Sequence, residues 1–371
     1  MPKATPEQIA KRNKDTLNFF VPQWLDNMRL NADIINRGLE NNQKAHLVPT
    51  NGKDPKKGVA IIASGMSVWH QREHLKNLND RLVICSPTNY GLCRAHGLVP
   101  DIIAFADSNP TQSMEIFKVV YHDKKTNIVT SPNVHPNLHT FWPATNLYWF
   151  KAYVQNVEGN FKSPYNFFID HLFRNITDHI MQAGSVTNMA LILVELLRKM
   201  GRLGDKKEMP HIFLVGSDLC VSEDNYHRAF KYHQTQTNWV QEPLYHADSY
   251  PLIFIDAEGK KTSTQMYNYR RSLLMLWRQI MWKMWNCSPY SLLEDLVPYY
   301  DIERLSEGDT PKKYDLSIRE KSWKRYEELP NPNTLDGRPY DIMNLTLAQP
   351  ETAAGVEITG SACEPTKGED K

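Results

Sequence analysis

Six short apolar runs set the frame for this chain: Val59 to Ala63, Arg81 to Cys85, Asp101 to Ala106, Asn127 to Thr130, Leu147 to Phe150 and His211 to Val215. Each is bounded by turn residues and separated from the next by an amphipathic or polar stretch. Runs of this length are what strands buried on both faces look like, and their alternation with helical stretches predicts βαβ units. The expected fold class is therefore α/β: a Rossmann-like, doubly wound, mostly parallel sheet with helical N- and C-terminal flanks. A chain of 371 residues is long enough to bury such a core and carry both flanks.

The helical pattern is clearest at Val186 to Met200, with basic residues in its last turn and Gly201 just beyond it. A second long helix is expected from Tyr267 to Trp285, its Met, Leu and Trp residues packed and its Arg270, Arg271, Arg278 and Lys283 forming a solvated face. Between Glu7 and Glu40 the pattern is helical but contains Pro22, which lacks an N–H and clashes with the preceding turn, so two helices are expected there. The polar, turn-rich stretch Thr50 to Gly58 reads as a linker. The resulting organisation is a helical segment over 1–50, a Rossmann-like domain over 58–285 with an insertion at about 131–181, a helical or irregular extension over 286–345, and an unfolded tail over 346–371.

Charge and cysteine content narrow the function classes. The formal net charge of +1 gives no overall field to draw the protein onto nucleic acid, and no nucleic-acid partner is expected. Cys85, Cys93, Cys220, Cys287 and Cys363 are scattered, without CxxC or Cys/His spacing for zinc, so free thiols in a reducing compartment are expected. No apolar run reaches the length of a membrane span, and the N-terminus is too polar for a signal peptide, so the expectation is a cytoplasmic protein without a membrane partner.

The chemistry-bearing residues fall where the runs end. After the first run comes Ala63-Ser64-Gly65-Met66-Ser67, with a helix expected to begin near Val68 or Trp69. A tight strand-to-helix turn presents backbone N–H groups to a phosphate, Gly65 allows close approach, and Ser67 can add a hydroxyl or cap the helix. The loop matches neither GxGxxG nor GxxxxGK[ST]. The second run enters a polar turn in which Asn89 either reads a base or ribose or caps the turn. The third delivers Asp107, able to hold Mg²⁺, a ribose hydroxyl or the next helix's amides. His135, His139 and Trp142 suggest a metal or sugar loop, but the prolines around them argue against the helical spacing a metal pair needs. Tyr226, Tyr232, His227 and His233 are candidates for a lid or for packing.

Taken together, the span Gly58 to Pro110 resembles the opening of the MptE-like family, which groups archaeal 6-hydroxymethylpterin diphosphokinases with the Maf motility accessory factors that glycosylate flagellin. Its pattern is a strand, a Gly-Pro-Ser-Leu loop, a second strand into a polar turn, and a Gly-x-x-Pro-Asp approach to a strand ending in Asp. Gly65, Ser67, Gly97, Pro100, Asp101 and Asp107 occupy those places, while Met66 replaces the family's Pro and Val68 its Leu. A second block, Gly184-Ser185-Val186 followed by the strand ending Gly216-Ser217-Asp218-Leu219, is similar to the family's second signature, with His227 in the place of its following His. The stretch Asp256 to Thr264 resembles its short hairpin leading into a helix.

The resemblance implies a transferase. Its donor phosphates would rest on Gly65, Met66 and Ser67, with Asn89, Gly184 and Ser185 as further donor contacts. Asp107 and Asp218 would share Mg²⁺, and Asp218 and His227 would act in catalysis. Two chemistries are open: diphosphate transfer from ATP to a hydroxymethylpterin-like alcohol, or sugar transfer from a CMP-linked or other nucleotide sugar. The partner is a small-molecule nucleotide donor in either case, and the acceptor is a pterin-like alcohol, a glycan or a protein hydroxyl. A third reading keeps the fold as a binding scaffold without turnover.

Overall fold

In the computed structural model the described residues are 6–41, 53, 57–106, 108, 126–153, 164–181, 185–203, 209–235, 238–243, 246–247, 254–279, 282–305, 311, 313–315 and 317–328. The elements run, in order, α1 (Pro6–Glu40), β1 (Val59–Ile62), α2 (Ser67–His70), a 3-10 segment (Arg72–Leu78), β2 (Leu82–Cys85), α3 (Pro87–Ala95), β3 (Ile102–Phe105), β4 (Asn127–Thr130), α4 (Leu138–Phe141), β5 (Leu147–Trp149) and β6 (Lys151–Tyr153). They continue as α5 (Pro164–Leu172), β7 (His179–Met181), α6 (Val186–Lys199), β8 (His211–Val215), β9 (Tyr232–Gln234), β10 (Trp239–Gln241), β11 (Phe254–Ala257), β12 (Lys260–Ser263), α7 (Thr264–Gln279), β13 (Lys283–Asn286) and α8 (Ser317–Glu328).

Seven strands form one sheet in the order β13-β8-β1-β2-β3-β4-β5, and each neighbouring pair is parallel. The pleat sends alternate residues to opposite faces, which explains why every position in β1, β2, β3, β4 and β8 is apolar or buried. Ala60, Ile62, Val83, Cys85, Ile103, Phe105, Phe213 and Val215 join a core with residues of α1, α3 and α5. Val59, Ile61, Leu82, Ile84, Ile102, Ala104, Ile212 and Leu214 join the other, with α6 and α7. The result is a Rossmann-like three-layer α/β arrangement. From β1 the chain winds outward to β5, then returns to add β8 and β13 on β1's other side. The strand order therefore reverses between β1 and β8, where open α/β sheets form a crevice outside the strands' carboxyl ends.

Four local expectations are corrected. α1 is a single helix through Pro22 rather than two. Proline removes one hydrogen bond, at a cost of about 3 kcal/mol. Tertiary contacts hold the part that follows: Trp24, Met28 and Ile35 are buried, and Asn31 Nδ2 donates to the carbonyls of Pro132 and Val134, each at 2.8 Å. With Asn27 bonded to the carbonyls of Ser108 and Asn133, α1 covers the loops that leave β3 and β4. The long helix expected at Tyr267 to Trp285 divides into α7 and the edge strand β13. A short Met- and Trp-rich run fits either period, and pairing with β8 decides it. Arg270 is fully buried rather than solvated: it pairs with Glu258 at 2.7 Å, donates to the Leu292 carbonyl at 3.2 Å and lies over the Tyr267 ring. Leu138 to Phe141 makes one helical turn despite the prolines, but His139 stacks on Trp149, and burial lowers its pKa to about 4.

The stretch read as an insertion supplies β5 to the main sheet, while β6 pairs in parallel with β7 outside it. The expected hairpin is present as antiparallel β11 and β12, leading directly into α7. Within the expected linker, Lys53 is anchored by an ion pair with Asp101. The unfolded tail expected at 346–371 lies outside the described residues. Among the described residues no helix is long and apolar enough to cross a membrane.

Candidate functional site

Strand β1 ends against β8, and the two loops that leave them are tied together by backbone hydrogen bonds. The Ala63 amide donates to the Val215 carbonyl at 2.8 Å, and the Gly65 amide to the Gly216 carbonyl at 2.7 Å. Ser67 N–H then donates to Asp218 Oδ2 at 2.8 Å, while the Ser67 hydroxyl bonds Asp218 Oδ1. Asp218 is buried at 3% exposure, and burial raises its pKa above the ordinary carboxylate range; the Ser67 and Ser288 donors and the nearby His70 oppose that shift. Such a carboxylate holds a proton more readily than a free one and is the better base when ionised.

The close approach explains two glycines. A Cβ on Gly65 would stand 2.5 Å from Asp218 Oδ2 and 2.6 Å from the Gly216 carbonyl. Gly216 has φ +74°, and a Cβ there would stand 2.5 Å from the Ala63 carbonyl. Gly65→Ala is therefore expected to destabilise the protein by about 1–3 kcal/mol, as overpacking does, and to open the Ser67–Asp218 contact. A denaturant melt at wild-type stability would contradict this.

The loop keeps some capacity for an anion. With the Gly65 and Ser67 amides engaged, those of Ser64 and Met66 have no hydrogen-bond partner among the described residues. On the β2 side, the Ser86 hydroxyl turns to Ser64 Oγ at 3.0 Å instead of capping α3, leaving that helix start without a side-chain cap. Asn89 in the first turn of α3 is fully buried and donates from Nδ2 to the Ala63 carbonyl, while its Oδ1 has no protein partner. Ser217 Oγ is likewise buried without one. Asn89 thus ties the β2 loop to the β1 loop.

The structure brings Gly65, Met66, Ser67, Asn89 and Asp218 to one stretch of the sheet's carboxyl edge. His227 stands two residues before Ala229, whose amide donates to the Ser64 carbonyl at 2.8 Å. Its pKa is lowered to about 4, by burial first and Arg228 second, so at neutral pH it is an uncharged imidazole. Ser185 caps α6, accepting the Asn188 amide at 3.1 Å, so its hydroxyl has the structural role. Asp107 and Gly184 lie outside the described residues. Tyr232 packs near Trp69 and His96, and Tyr226 stacks on His246 at 4.7 Å.

The Mg²⁺ implied by the resemblance has no ready ligand set here. Both Asp218 oxygens are held by Ser67, and no group of three or more His, Cys, Asp or Glu among the described residues could hold a metal. The described side chains do not fit a resident ion at Asp218.

Ser288 is a site residue that the motifs missed. It follows β13 at the same edge, 1% exposed, with Oγ 2.9 Å from Ser67 Oγ. Reading Lys283 to Asn286 as a strand would have pointed to the polar turn after it.

The protein is similar in structure to the MAf glycosyltransferase from Magnetospirillum magneticum AMB-1, with a TM-score of 0.49 at 13% identity. That likeness covers 82% of this chain and 42% of the other, so this chain spans less than half the length of its neighbour. No curated protein matches the sequence. The family model described as "6-hydroxymethylpterin diphosphokinase MptE-like" matches residues 33–224, which supports a transferase-like function. That match takes in over half of the sequence, including the loops after β1, β2 and β8, and the chain belongs to the MptE-like family.

Proposed function

We propose that the protein is a nucleotide-dependent transferase that passes a diphosphate from ATP to a hydroxymethylpterin-like alcohol in the crevice between β1 and β8. The observation that carries this reading is the contact of Ser67 with the buried Asp218 where the strand order reverses. It sets a carboxylate with a raised pKa beside a loop that still has two backbone donors to offer.

In this reaction the alcohol oxygen bonds to the β-phosphorus, the bond from that phosphorus to the α-phosphate oxygen breaks, and AMP leaves. Asp218 takes the alcohol's proton. The Ser64 and Met66 amides and the uncapped start of α3 face the donor's phosphates. Neutral His227 is a second proton carrier at the loop. Mg²⁺ belongs to this proposal as a companion of the donor's phosphates, because Asp218 has both oxygens engaged. Asp107 is its proposed carboxylate ligand.

Thermal denaturation with ATP, GTP, CMP and CMP-sugars tests the reading, followed by assay of AMP release in the presence of the alcohol. A donor at a hundred times its Kd stabilises the native state by about 2.7 kcal/mol. The expected result is an ATP shift with alcohol-dependent AMP release. A shift with CMP or a CMP-sugar alone would replace diphosphate transfer by sugar transfer. Silence with every nucleotide would leave a scaffold without turnover.

A further inference from the structure

Ser67 has one hydroxyl proton and two oxygens within reach of it: Asp218 Oδ1 and, at 2.9 Å, Ser288 Oγ. An ionised carboxylate only accepts. If the Ser67 proton lies on Asp218, the Ser288 hydroxyl must donate to Ser67. If instead the Ser67 proton turns to Ser288, the carboxylate loses the Ser67 hydroxyl and keeps the Ser67 N–H with the weaker support of Ser288 itself. A Ser288 hydroxyl that donates to Ser67 polarises the Ser67 O–H toward the carboxylate and strengthens that bond.

We infer that Ser288 is a positioning residue for Asp218: by donating to Ser67 it holds the Ser67 hydroxyl on the carboxylate and keeps that carboxylate as the proton acceptor of the crevice. The inference rests on the transferase reading for its effect on turnover, though not for the geometry.

The surroundings of Ser288 are built to fix it. Its amide donates to Asn286 Oδ1 at 3.0 Å, and Asn286 Nδ2 donates to the Ser288 carbonyl at 3.2 Å and to Ser291 Oγ at 3.0 Å. Asn286, Ser288 and Ser291 are all buried. The same turn grips both loops of the crevice: Gln71 Nε2 donates to the Cys287 carbonyl at 2.7 Å, and the Leu292 amide donates to the Asp218 carbonyl at 2.8 Å. Arg270, paired with Glu258, holds the Leu292 carbonyl. Of the titratable groups around it, His70 on α2 favours the Asp218 charge, and that charge in turn raises the pKa of Cys220 on the loop after β8. Every member of this support from Glu258 onward lies beyond residues 33–224 matched by the family model, so the matched part of the chain takes the support of its Ser67–Asp218 contact from the part that follows.

The experiment is a carboxyl-carbon NMR titration of the full chain labelled at aspartate, with the Asp218 signal assigned by its loss in Asp218→Asn. Ser288→Ala is expected to move the Asp218 midpoint upward by about one unit, because the Ser67 hydroxyl loses the donor that polarises it toward the carboxylate and the charged form loses the support of Ser288 itself, and Ser288→Thr to restore it. In the AMP-release assay Ser288→Ala is expected to lower kcat roughly tenfold with KM for ATP unchanged, the effect of one lost hydrogen bond in the transition state. Should the alanine variant fail to fold, Ser288→Cys, similar in size and a poor donor, is expected to show the same upward shift. An Asp218 midpoint unchanged in the folded alanine or cysteine variant overturns the inference, as does a threonine variant that behaves like alanine. A shifted midpoint in a protein that never releases AMP upholds Ser288's role while removing diphosphate transfer.

Discussion

Asp218→Asn is expected to lower turnover by about 10²- to 10⁴-fold while leaving the fold intact. The variant keeps an acceptor for the Ser67 amide, and its new amide group can donate to Ser67 Oγ, so the hydrogen bonds that join the β1 and β8 loops have replacements. What it loses is the capacity to take a proton. Stability provides a second, independent readout. Burial raises the Asp218 pKa, so the folded protein holds this proton more tightly than the unfolded chain. The ionised form therefore costs stability, fully above the folded-state pKa and not at all below the unfolded one. Compared with the asparagine variant, wild type should lose stability as pH rises from about 3 toward neutrality. Denaturant melts across that range that run parallel for the two proteins would count against a raised pKa, and a variant with wild-type turnover would take Asp218 out of the mechanism.

Asp101→Ala is expected to destabilise the protein by about 3–5 kcal/mol, with no specific loss of activity in the molecules that remain folded. Asp101 ends the Gly-x-x-Pro-Asp motif, but it stands at the start of β3, on the edge of the sheet opposite the crevice. It is 2% exposed and pairs with Lys53 at 2.8 Å, whose side chain is also buried. Its Oδ2 accepts the Val83 amide at 2.8 Å, and Lys53 also donates to the Val99 carbonyl at 2.7 Å. Truncation strands an ammonium group and a strand amide inside the protein, and an unpaired buried charge is the costly case. Replacing both partners by apolar residues, as in Lys53→Met with Asp101→Leu, should recover part of the loss. A single alanine variant that melts like wild type would mean that water reaches Lys53.

The placement of the motifs has a simple physical basis. In a parallel sheet all strand ends of one polarity lie on one edge, so residues that follow the strands gather at the crevice and residues that precede them gather opposite. Gly65, Ser67, Asn89 and Asp218 belong to the first group, and Asp101 to the second. That separation could be read from the apolar runs alone. The pairing of Ser67 with Asp218 could not, since it depends on β8 returning beside β1 after β2 to β5 have been laid down.

The apolar runs by themselves determined the α/β class, the positions of the central strands and the glycine-bearing loops at their ends, because burial on both faces leaves a strand little choice but continuous apolar sequence. Tertiary structure decided what local pattern leaves open. It kept α1 continuous through Pro22, divided Tyr267 to Trp285 into a helix and an edge strand, buried Arg270 against Glu258, and brought Ser288 to Ser67. In each case the deciding energy comes from partners distant in sequence, whose contacts outweigh the few kcal/mol by which one local conformation is preferred over another.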